Sequence, residues 1–242
     1  MKIDVAEHAD ALNHCVAEEF VRRTTEAVEA RGRCAVALSG GSTPKGVYQL
    51  LAAPAFRARV RWGEIHFFWG DERHVPPDHP DSNYRMAVEA MLSKVPVPPG
   101  NVHRVQSELP DAERAAREYE ETIRAFVDGQ ALPRFDVIDL GIGTDGHTAS
   151  LFPGSAALEE RDRLCVANWV AKLGAYRITL TLPVLNAARA VIFIVSGAEK
   201  ASIVQRVLGD SDGLPPLPAQ LVQPVDGECW WMLDRAAAGE LS

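Results

Sequence analysis

The amino-acid sequence predicts a Rossmann-like α/β fold in which a mostly parallel central sheet carries helices on both faces. Short, continuous apolar runs such as Cys34–Leu38 and Val191–Val195 are typical of strands buried on both sides of a parallel sheet. Segments with helical spacing of their apolar residues lie between these runs, and such alternation is the pattern of this fold class. Right-handed crossovers would bring the loops that follow the strands to one edge, where such folds bind ligands.

The first part of the chain predicts a helix, a strand and a second helix. Residues 5–30 place apolar side chains at helical spacing among charged ones, and Gly32 is expected to end this helix. The strand at Cys34–Leu38 stops at a pair of glycines. The next helix is predicted to begin at once, with Thr43 as its N-cap and Pro44 as its first helical residue.

The same alternation continues to the end of the chain. Further strands are predicted at Ile65–Trp69, Phe135–Leu140, Ile178–Leu182 and Trp230–Leu233. Further helices are predicted at Asn83–Leu92, at Ala112–Phe126 and in a segment ending at Leu208. The polar segment Gly70–Asp81 is predicted as a loop. The proline-rich pieces are too short for a domain linker, so residues 1–242 are predicted to form a single domain.

Composition and charge exclude several classes of function. A formal net charge of −8 leaves no general positive field to attract nucleic acid or an anionic membrane. The four cysteines form no C-x-x-C pair and have no histidine at zinc-binding spacing, so neither a metal site nor a redox pair is predicted. No segment approaches the ~18 apolar residues of a membrane span. We therefore expect a cytoplasmic protein, a monomer or small homo-oligomer, without nucleic-acid or membrane partners.

The loop after the strand Cys34–Leu38 has the composition of a phosphate-binding loop. Gly40 and Gly41 allow a ligand to approach the backbone closely, and the amides near Ser42 and Thr43 at the helix N-terminus can bind an anion. The loop lacks the lysine of a Walker P-loop and the spacing of a G-x-G-x-x-G dinucleotide site. The alternative interpretation is a glycine turn followed by a well-capped helix.

A histidine follows the predicted strand Phe135–Leu140 through a second glycine-rich loop. His147 would therefore lie at the same edge as the first loop, and an imidazole can exchange protons near neutral pH. Asp145, two residues earlier, could hydrogen-bond the ring, and Gly146 between them permits an unusual turn. The alternative is that His147 is an ordinary surface or satisfied buried histidine.

Charged side chains in other loops extend this candidate site. Asp71 and Arg73 follow the predicted strand Ile65–Trp69, although a solvated charged loop is the simpler interpretation of that segment. At the catalytic edge, Arg73 could instead orient Asp145 or His147. Arg177 and Lys200 flank two later strands, and either could bind a phosphate or be a surface cation.

Five segments read together resemble the 6-phosphogluconolactonase family. They are ALSGGSTP, FFWGDERHVPPDHPDSNYRMA, DLGIGTDGHTASLFPG, RITLTLPVLNAAR and IVSGAEKA, which occur in this order between residues 37 and 201. The resemblance implies the glucosamine-6-phosphate deaminase fold and hydrolysis of a small sugar-phosphate lactone, 6-phospho-D-glucono-1,5-lactone, without a metal or organic cofactor.

The resemblance also implies roles for individual residues. It places His147 as the general base, supported by Asp145 and Arg73. The substrate-binding residues that it implies are Gly40, Gly41, Ser42, Thr43, Asp71, Arg177 and Lys200. A second cation, Lys172, lies near Arg177 in the sequence and could share the phosphate contact.

Two other functions remain open at this point. Glucosamine-6-phosphate deaminases share the fold and a similar Asp-Gly-His loop, but they have a glutamate five residues after the histidine, where this chain has Phe152. The second alternative is a regulatory protein that binds a sugar phosphate without catalysis. A covalent serine mechanism is disfavoured because no serine lies in a G-x-S-x-G motif.

Overall fold

The structure is a computed structural model that describes residues 1–127, 132–209, 215–239 and 241. Nine strands lie within these ranges: β1 (Lys2–Ala6), β2 (Cys34–Leu38), β3 (Ile65–Trp69), β4 (Asp71–Arg73), β5 (Val137–Leu140), β6 (Cys165–Val170), β7 (Ala175–Leu180), β8 (Ala190–Val195) and β9 (Glu228–Asp234). Six of them form a fully parallel sheet in the order β1-β9-β8-β5-β2-β3. The prediction of a mostly parallel central sheet is confirmed.

Helices cover both faces of this sheet. Those in the described ranges are α1 (Ala9–Arg31), α2 (Ser42–Ala52), α3 (Pro54–Arg57), α4 (Asn83–Ala90), α5 (Ala112–Phe126), α6 (Leu182–Ala187), α7 (Ala201–Leu208) and α8 (Arg235–Ala238). Side chains alternate between the faces of a strand. Val36 of β2 accordingly packs in one core with α1 to α4, whereas Ala35 and Ala37 pack in the other with α5 to α8.

The order of the strands places a ligand-binding crevice between β2 and β5. From β2 the chain moves outward to β3, whereas β5 is followed by β8 and β9 on the opposite side. This reversal is a topological switch point, and the loops that leave the carboxyl ends of the two strands diverge there. The two glycine-rich segments, residues 39–43 and 141–147, begin in those loops, and the first of them continues into α2 at Ser42.

A second sheet, which the sequence did not predict, lies beside this crevice. It is antiparallel and has the order β4-β7-β6, and the amide of Leu180 joins the two sheets by donating to the carbonyl oxygen of Gly70 at 2.9 Å. The predicted loop Gly70–Asp81 therefore contains a short strand. The strand predicted at Ile178–Leu182 is β7, which runs from Ala175 to Leu180 and ends earlier than predicted because Leu182 already begins α6.

The prediction of a helix from residue 5 is wrong at its start. The strand β1 occupies Lys2–Ala6, and α1 begins only at Ala9, with the His8 side chain accepting a hydrogen bond from the amide of Ala11 at 3.2 Å. Four of the five residues of β1 are exposed, so the strand has no buried apolar run to identify it. The predicted end of α1 is confirmed, since Gly32 adopts a left-handed conformation with φ of 72°.

The prediction of Thr43 as the N-cap of α2 is also wrong. The helix begins at Ser42 and its N-cap is Gly41, which has a φ of 109° and provides no side-chain cap. Threonine is a favourable cap in general, but here the left-handed turn at Gly41 starts the helix earlier. The backbone amides of the first turn of α2 therefore have no side-chain cap and can donate to a bound ligand.

The other helices agree with the sequence-based prediction. Ala112–Phe126 is confirmed to the residue as α5, and the helix predicted at Asn83–Leu92 ends two residues early, at Ala90. No helix in the described part of the chain is long and apolar enough to cross a membrane.

Candidate active site

A cavity of about 290 Å³ lies at the switch point and collects most of the residues expected at the site. Its lining includes six of the candidates: Gly40, Gly41, Asp71, Arg73, His147 and Lys200. Four other candidates do not line it: Ser42, Thr43, Asp145 and Arg177. The cavity is thus formed by the loops that follow β2, β5 and β8, together with residues of β4.

The imidazole of His147 is fixed by the carboxylate of Asp145. Nδ1 of His147 lies 2.5 Å from Oδ1 of Asp145, and the same oxygen accepts the backbone amide of His147 at 3.2 Å. A carboxylate can only accept, so Nδ1 carries the proton, and Nε2 is left with its lone pair when the ring is neutral. In the described residues Nε2 has no hydrogen-bond partner, and the His147 side chain lines the cavity.

A tight turn brings the two side chains together. The amide of Gly143 donates to the carbonyl oxygen of His147 at 2.8 Å, and the amide of Gly146 donates to that of Gly143 at 2.9 Å. Gly146 has a φ of 81°, which favours glycine. A Cβ on Gly143 would overlap the His147 ring, so this position needs a glycine for close approach.

We expect Gly143→Ala to lower kcat about 100-fold for a reaction that uses the His147 imidazole, because the added methyl group would displace the ring and small misplacements of reacting groups are this costly. Gly63→Ala is the matched control, since no atom lies within 4 Å of its added Cβ. Steady-state kinetics of the two variants check this. Equal kcat values would show that the ring position is not critical.

A second charged group contacts Asp145 from the opposite side. Nζ of Lys172 lies against Oδ2 of Asp145, the oxygen that His147 does not use. Burial alone would raise the pKa of Asp145, but the hydrogen bonds from Lys172 and His147 outweigh it and hold that pKa well below its usual range. Asp145 is therefore a carboxylate throughout the neutral pH range.

Phe152 stacks on the histidine. The ring centroids of His147 and Phe152 are 4.1 Å apart at an interplanar angle of 24°, and Nζ of Lys172 lies 4.6 Å from the Phe152 centroid. Phe152 thus provides an apolar face for the ring of His147. No acid is present at this position.

Asp71 lines the cavity and belongs to a buried polar cluster. Its Oδ2 accepts a hydrogen bond from Oγ of Ser150 at 2.5 Å, and its backbone carbonyl accepts from Nδ2 of Asn83 at 2.9 Å. The side chain of Asn83 also closes on Gly40, where an added Cβ would overlap its amide. Asp71 is thereby held rigidly beside the first glycine-rich loop.

Glu72, adjacent to Asp71, has a structural role. Its side chain is buried and accepts the backbone amides of Arg73, Asn83 and Tyr84, each at 2.8 Å, which joins β4 to the start of α4. Burial raises its pKa despite these hydrogen bonds. Glu72 fixes the backbone from which Asp71 and Arg73 project.

The two candidate arginines lie side by side across the second sheet. Arg73 of β4 pairs in register with Arg177 of β7, and burial together with the neighbouring Arg73 guanidinium lowers the pKa of Arg177. Nη1 of Arg73 donates to the carbonyl oxygen of Asp81 at 2.6 Å. The structure therefore does not show the expected contact of Arg73 with Asp145, because Lys172 occupies that position.

Lys200 is a further cation that lines the cavity. Its Nζ donates to the carbonyl oxygen of Ile142 at 2.9 Å, which joins the loop after β8 to the loop after β5. The preceding turn is held by Asp234, which accepts Oγ of Ser196 at 2.5 Å and the amide of Gly197 at 3.1 Å. Lys200 is thus placed as a fixed cation facing the cavity.

The side chain of Tyr48 holds the start of the first glycine-rich loop. The hydroxyl group of Tyr48 accepts the amide of Ser39 at 3.0 Å, and it lies 3.4 Å from Oδ2 of Asp139, whose pKa burial raises to about 7. Oγ of Ser39 is buried, lines the cavity and has no partner among the described residues. Ser39, Asn83 and Ala149, which has a φ of 47°, are cavity residues that were not predicted.

Among the described residues, no group of three or more histidine, cysteine, aspartate or glutamate side chains could hold a metal ion. All four cysteines are free, with Cys34 and Cys165 fully buried.

Fold and site together have the arrangement of an α/β enzyme that acts on a small anionic substrate. Comparison with known proteins agrees with this class. The model of a family described as glucosamine-6-phosphate isomerases/6-phosphogluconolactonase matches residues 7–231. A 6-phosphogluconolactonase of Synechocystis is 43% identical over 221 residues, which cover 90% of this chain and 89% of that protein.

Solved structures give the same result. A 6-phosphogluconolactonase from Trypanosoma brucei superposes with a TM-score of 0.87 at 30% identity, covering 100% of this chain and 98% of that one. A monomeric glucosamine-6-phosphate deaminase superposes with a TM-score of 0.83 at 19% identity, covering 98% of this chain and 99% of that one. At this identity the likeness shows only that the two chains share a fold. The chain belongs to the glucosamine-6-phosphate isomerase/6-phosphogluconolactonase family, which confirms the resemblance found in the sequence.

Proposed function

We propose that this chain hydrolyses 6-phospho-D-glucono-1,5-lactone to 6-phospho-D-gluconate, a step of the oxidative pentose phosphate pathway, with His147 as the general base. The observation that carries this proposal is the pairing of Asp145 with Nδ1 of His147 at 2.5 Å, beside a cavity of substrate size. Relatives named 6-phosphogluconolactonase, matching along most of the chain, support the choice of substrate.

The proposed reaction needs no covalent intermediate. Nε2 of His147 removes a proton from a water molecule, and the water oxygen attacks the lactone carbonyl carbon to form a tetrahedral intermediate. Asp145 stabilises the imidazolium that forms. The intermediate collapses with cleavage of the bond between the acyl carbon and the ring oxygen. His147 returns its proton to that oxygen, so the products are a carboxylic acid and a hydroxyl group.

The charges around the cavity suit a phosphorylated substrate. Arg73 and Lys200 line it, and the uncapped first turn of α2 presents backbone amides beside Gly40 and Gly41. Amides at a helix N-terminus together with fixed cations bind phosphate oxygens well, and the same donors stabilise a developing oxyanion. We assign the phosphate to this cationic side of the cavity, with Arg177 behind Arg73, and the sugar hydroxyl groups to Asp71.

The test uses two substrates with purified protein. We expect faster decay of freshly generated 6-phosphogluconolactone than in buffer, and no ammonia from glucosamine 6-phosphate. Deamination needs an acid near the sugar ring oxygen, and Phe152 supplies none. Ammonia release without lactone hydrolysis would establish a deaminase. Binding of a sugar phosphate with no effect on either compound would establish a regulatory protein.

Replacement of Lys200 tests the assignment of the phosphate. We expect Lys200→Ala to raise KM about tenfold or more, because a charge-assisted contact to phosphate is worth on the order of 1.5–3 kcal/mol. Lys94→Ala is the control, because Lys94 lies away from the cavity and donates to the carbonyl oxygen of Ala90. Steady-state kinetics check this prediction, and an unchanged KM would move the phosphate to Arg73 and Arg177.

We also infer that residues 1–242 form one domain, because both hydrophobic cores share the strands of the central sheet. Cooperative unfolding in a single transition is the expected result, measured by circular dichroism during heating. Two separate transitions would contradict it.

A further inference from the structure

Lys172 belongs to a closed group of four side chains around the catalytic-loop histidine. Its Nζ contacts Oδ2 of Asp145, while Oδ1 of the same carboxylate is paired with Nδ1 of His147. Nζ also lies over the ring of Phe152, and that ring stacks on His147. One ammonium group therefore contacts both of the side chains that hold the imidazole.

The segment that carries Lys172 is anchored to the catalytic loop. Lys172 lies in the turn between β6 and β7, where Gly174, with a φ of 57°, reverses the chain and its amide donates to the carbonyl oxygen of Ala171 at 3.1 Å. On β6, Nδ2 of Asn168 donates to the carbonyl oxygen of Ser150 at 2.8 Å. The hairpin backbone therefore places the Lys172 side chain within reach of Asp145.

Lys172 does not line the cavity, whereas Arg73 and Lys200 do. The sequence allowed it a share of the phosphate contact, but its Nζ is directed to the carboxylate behind the histidine. Its ammonium group therefore contacts Asp145 and the Phe152 ring and does not line the cavity.

The charge of Lys172 has a defined effect on His147. A carboxylate beside an imidazole favours the protonated ring, whereas a nearby cation disfavours it. The other charged groups that line the same cavity as His147 are Asp71, Arg73 and Lys200. Lys172 is the cation in contact with Asp145 among the described residues, so its removal leaves the carboxylate to stabilise the imidazolium more strongly.

We propose that Lys172 is a positioning residue that orients Asp145 and, through the positive charge it places against that carboxylate, opposes protonation of the His147 ring. The kinetic consequence rests on the proposed lactonase function, because it requires His147 to act as a base. The electrostatic consequence does not, since it concerns the protonation of the ring alone.

The kinetic test compares Lys172→Met with Lys172→Arg and the wild type. We expect the acid limb of the kcat/KM profile of the Met variant to move to higher pH by about one unit, an effect typical of one neighbouring charge. Below that limb the Met variant would be about tenfold slower than the wild type. Lys172→Arg should restore most of the profile because it keeps the charge, and KM should change little in either variant.

The direct test follows the ring signals of His147 by NMR during a pH titration, without substrate. The signals are assigned by their loss in His147→Asn, and we expect their transition in Lys172→Met to move upward by about one pH unit. Lys94→Met is the matched control and should show no shift.

An unshifted titration in the Met variant would overturn the proposal. A raised KM with an unshifted acid limb would also overturn it, and would assign Lys172 to the phosphate instead. The titration needs no turnover. Failure of the lactonase assay would therefore contradict the proposed function, and the NMR titration would still decide whether Lys172 affects His147.

Discussion

Replacement of His147 with alanine is expected to lower kcat for lactone hydrolysis by about 10²–10⁴-fold, the usual contribution of a positioned general base. The loss should appear in kcat and not mainly in KM, because Nε2 acts on the attacking water and the phosphate contacts are made by other groups. Steady-state kinetics with freshly generated lactone, corrected for spontaneous opening, measure both parameters.

The fold of this variant should be preserved. His147 is partly exposed, and the structure shows it contacting Asp145 and Phe152 at the edge of the cavity, outside both hydrophobic cores. His14→Ala is the matched control, because His14 lies on the exposed surface of α1. A kcat within a few-fold of the wild type for His147→Ala would remove His147 from the role of the base.

Asp145→Asn is expected to have an effect of similar size, about 10²–10⁴-fold in kcat, although the two side chains have the same shape. An amide can turn its NH₂ group toward Nδ1 of His147, which places the ring proton on Nε2 and leaves no lone pair for the water. The change also removes the charge that stabilises the imidazolium and that pairs with Lys172.

Kinetics measured at several pH values check the Asp145→Asn prediction. Asp10→Asn, an exposed position in the first turn of α1, controls for the loss of one carboxylate. Activity of Asp145→Asn equal to that of the wild type across the pH range would show that the orientation and charge of the histidine do not matter. The kinetic consequence proposed for Lys172 would then have no basis either.

The central sheet could be predicted because its strands are buried on both faces. All five residues of β2 and all six residues of β8 are apolar and buried, which is typical of a strand covered on both faces of a parallel sheet. The strands that were missed lack this signal. β1 is an exposed edge strand, and β4 consists of the charged residues Asp71–Arg73, which follow β3 after a single glycine.

The parts of the site that could be predicted are those set by short spacing. Asp145 and His147 are two residues apart in a glycine turn, so their pairing follows from local geometry. The contact of Lys172 with Asp145 joins residues 27 positions apart and depends on the hairpin of β6 and β7, a sheet the sequence did not indicate. Without that sheet, Arg73 was the natural candidate to support Asp145.

The same reason explains why the buried polar cluster around Asp71 was not predicted. Ser150 and Asn83 reach Asp71 only because the antiparallel sheet and the start of α4 converge on β4. The start of α2 was predicted wrongly because Gly41, with its left-handed backbone, begins the helix before Thr43 can act as the N-cap. The local preferences of residues thus predicted the helices and strands better than the contacts made where these elements meet.

The most direct measurement of the central claim is the rate at which freshly generated 6-phosphogluconolactone disappears, followed by the proton released as the carboxylic acid ionises. With wild-type protein we expect decay in proportion to enzyme concentration and well above the rate in buffer. With His147→Ala at the same concentration, decay should return nearly to the buffer rate. A wild-type protein that binds sugar phosphate but leaves the decay at the buffer rate would contradict the claim that this chain is a lactone hydrolase.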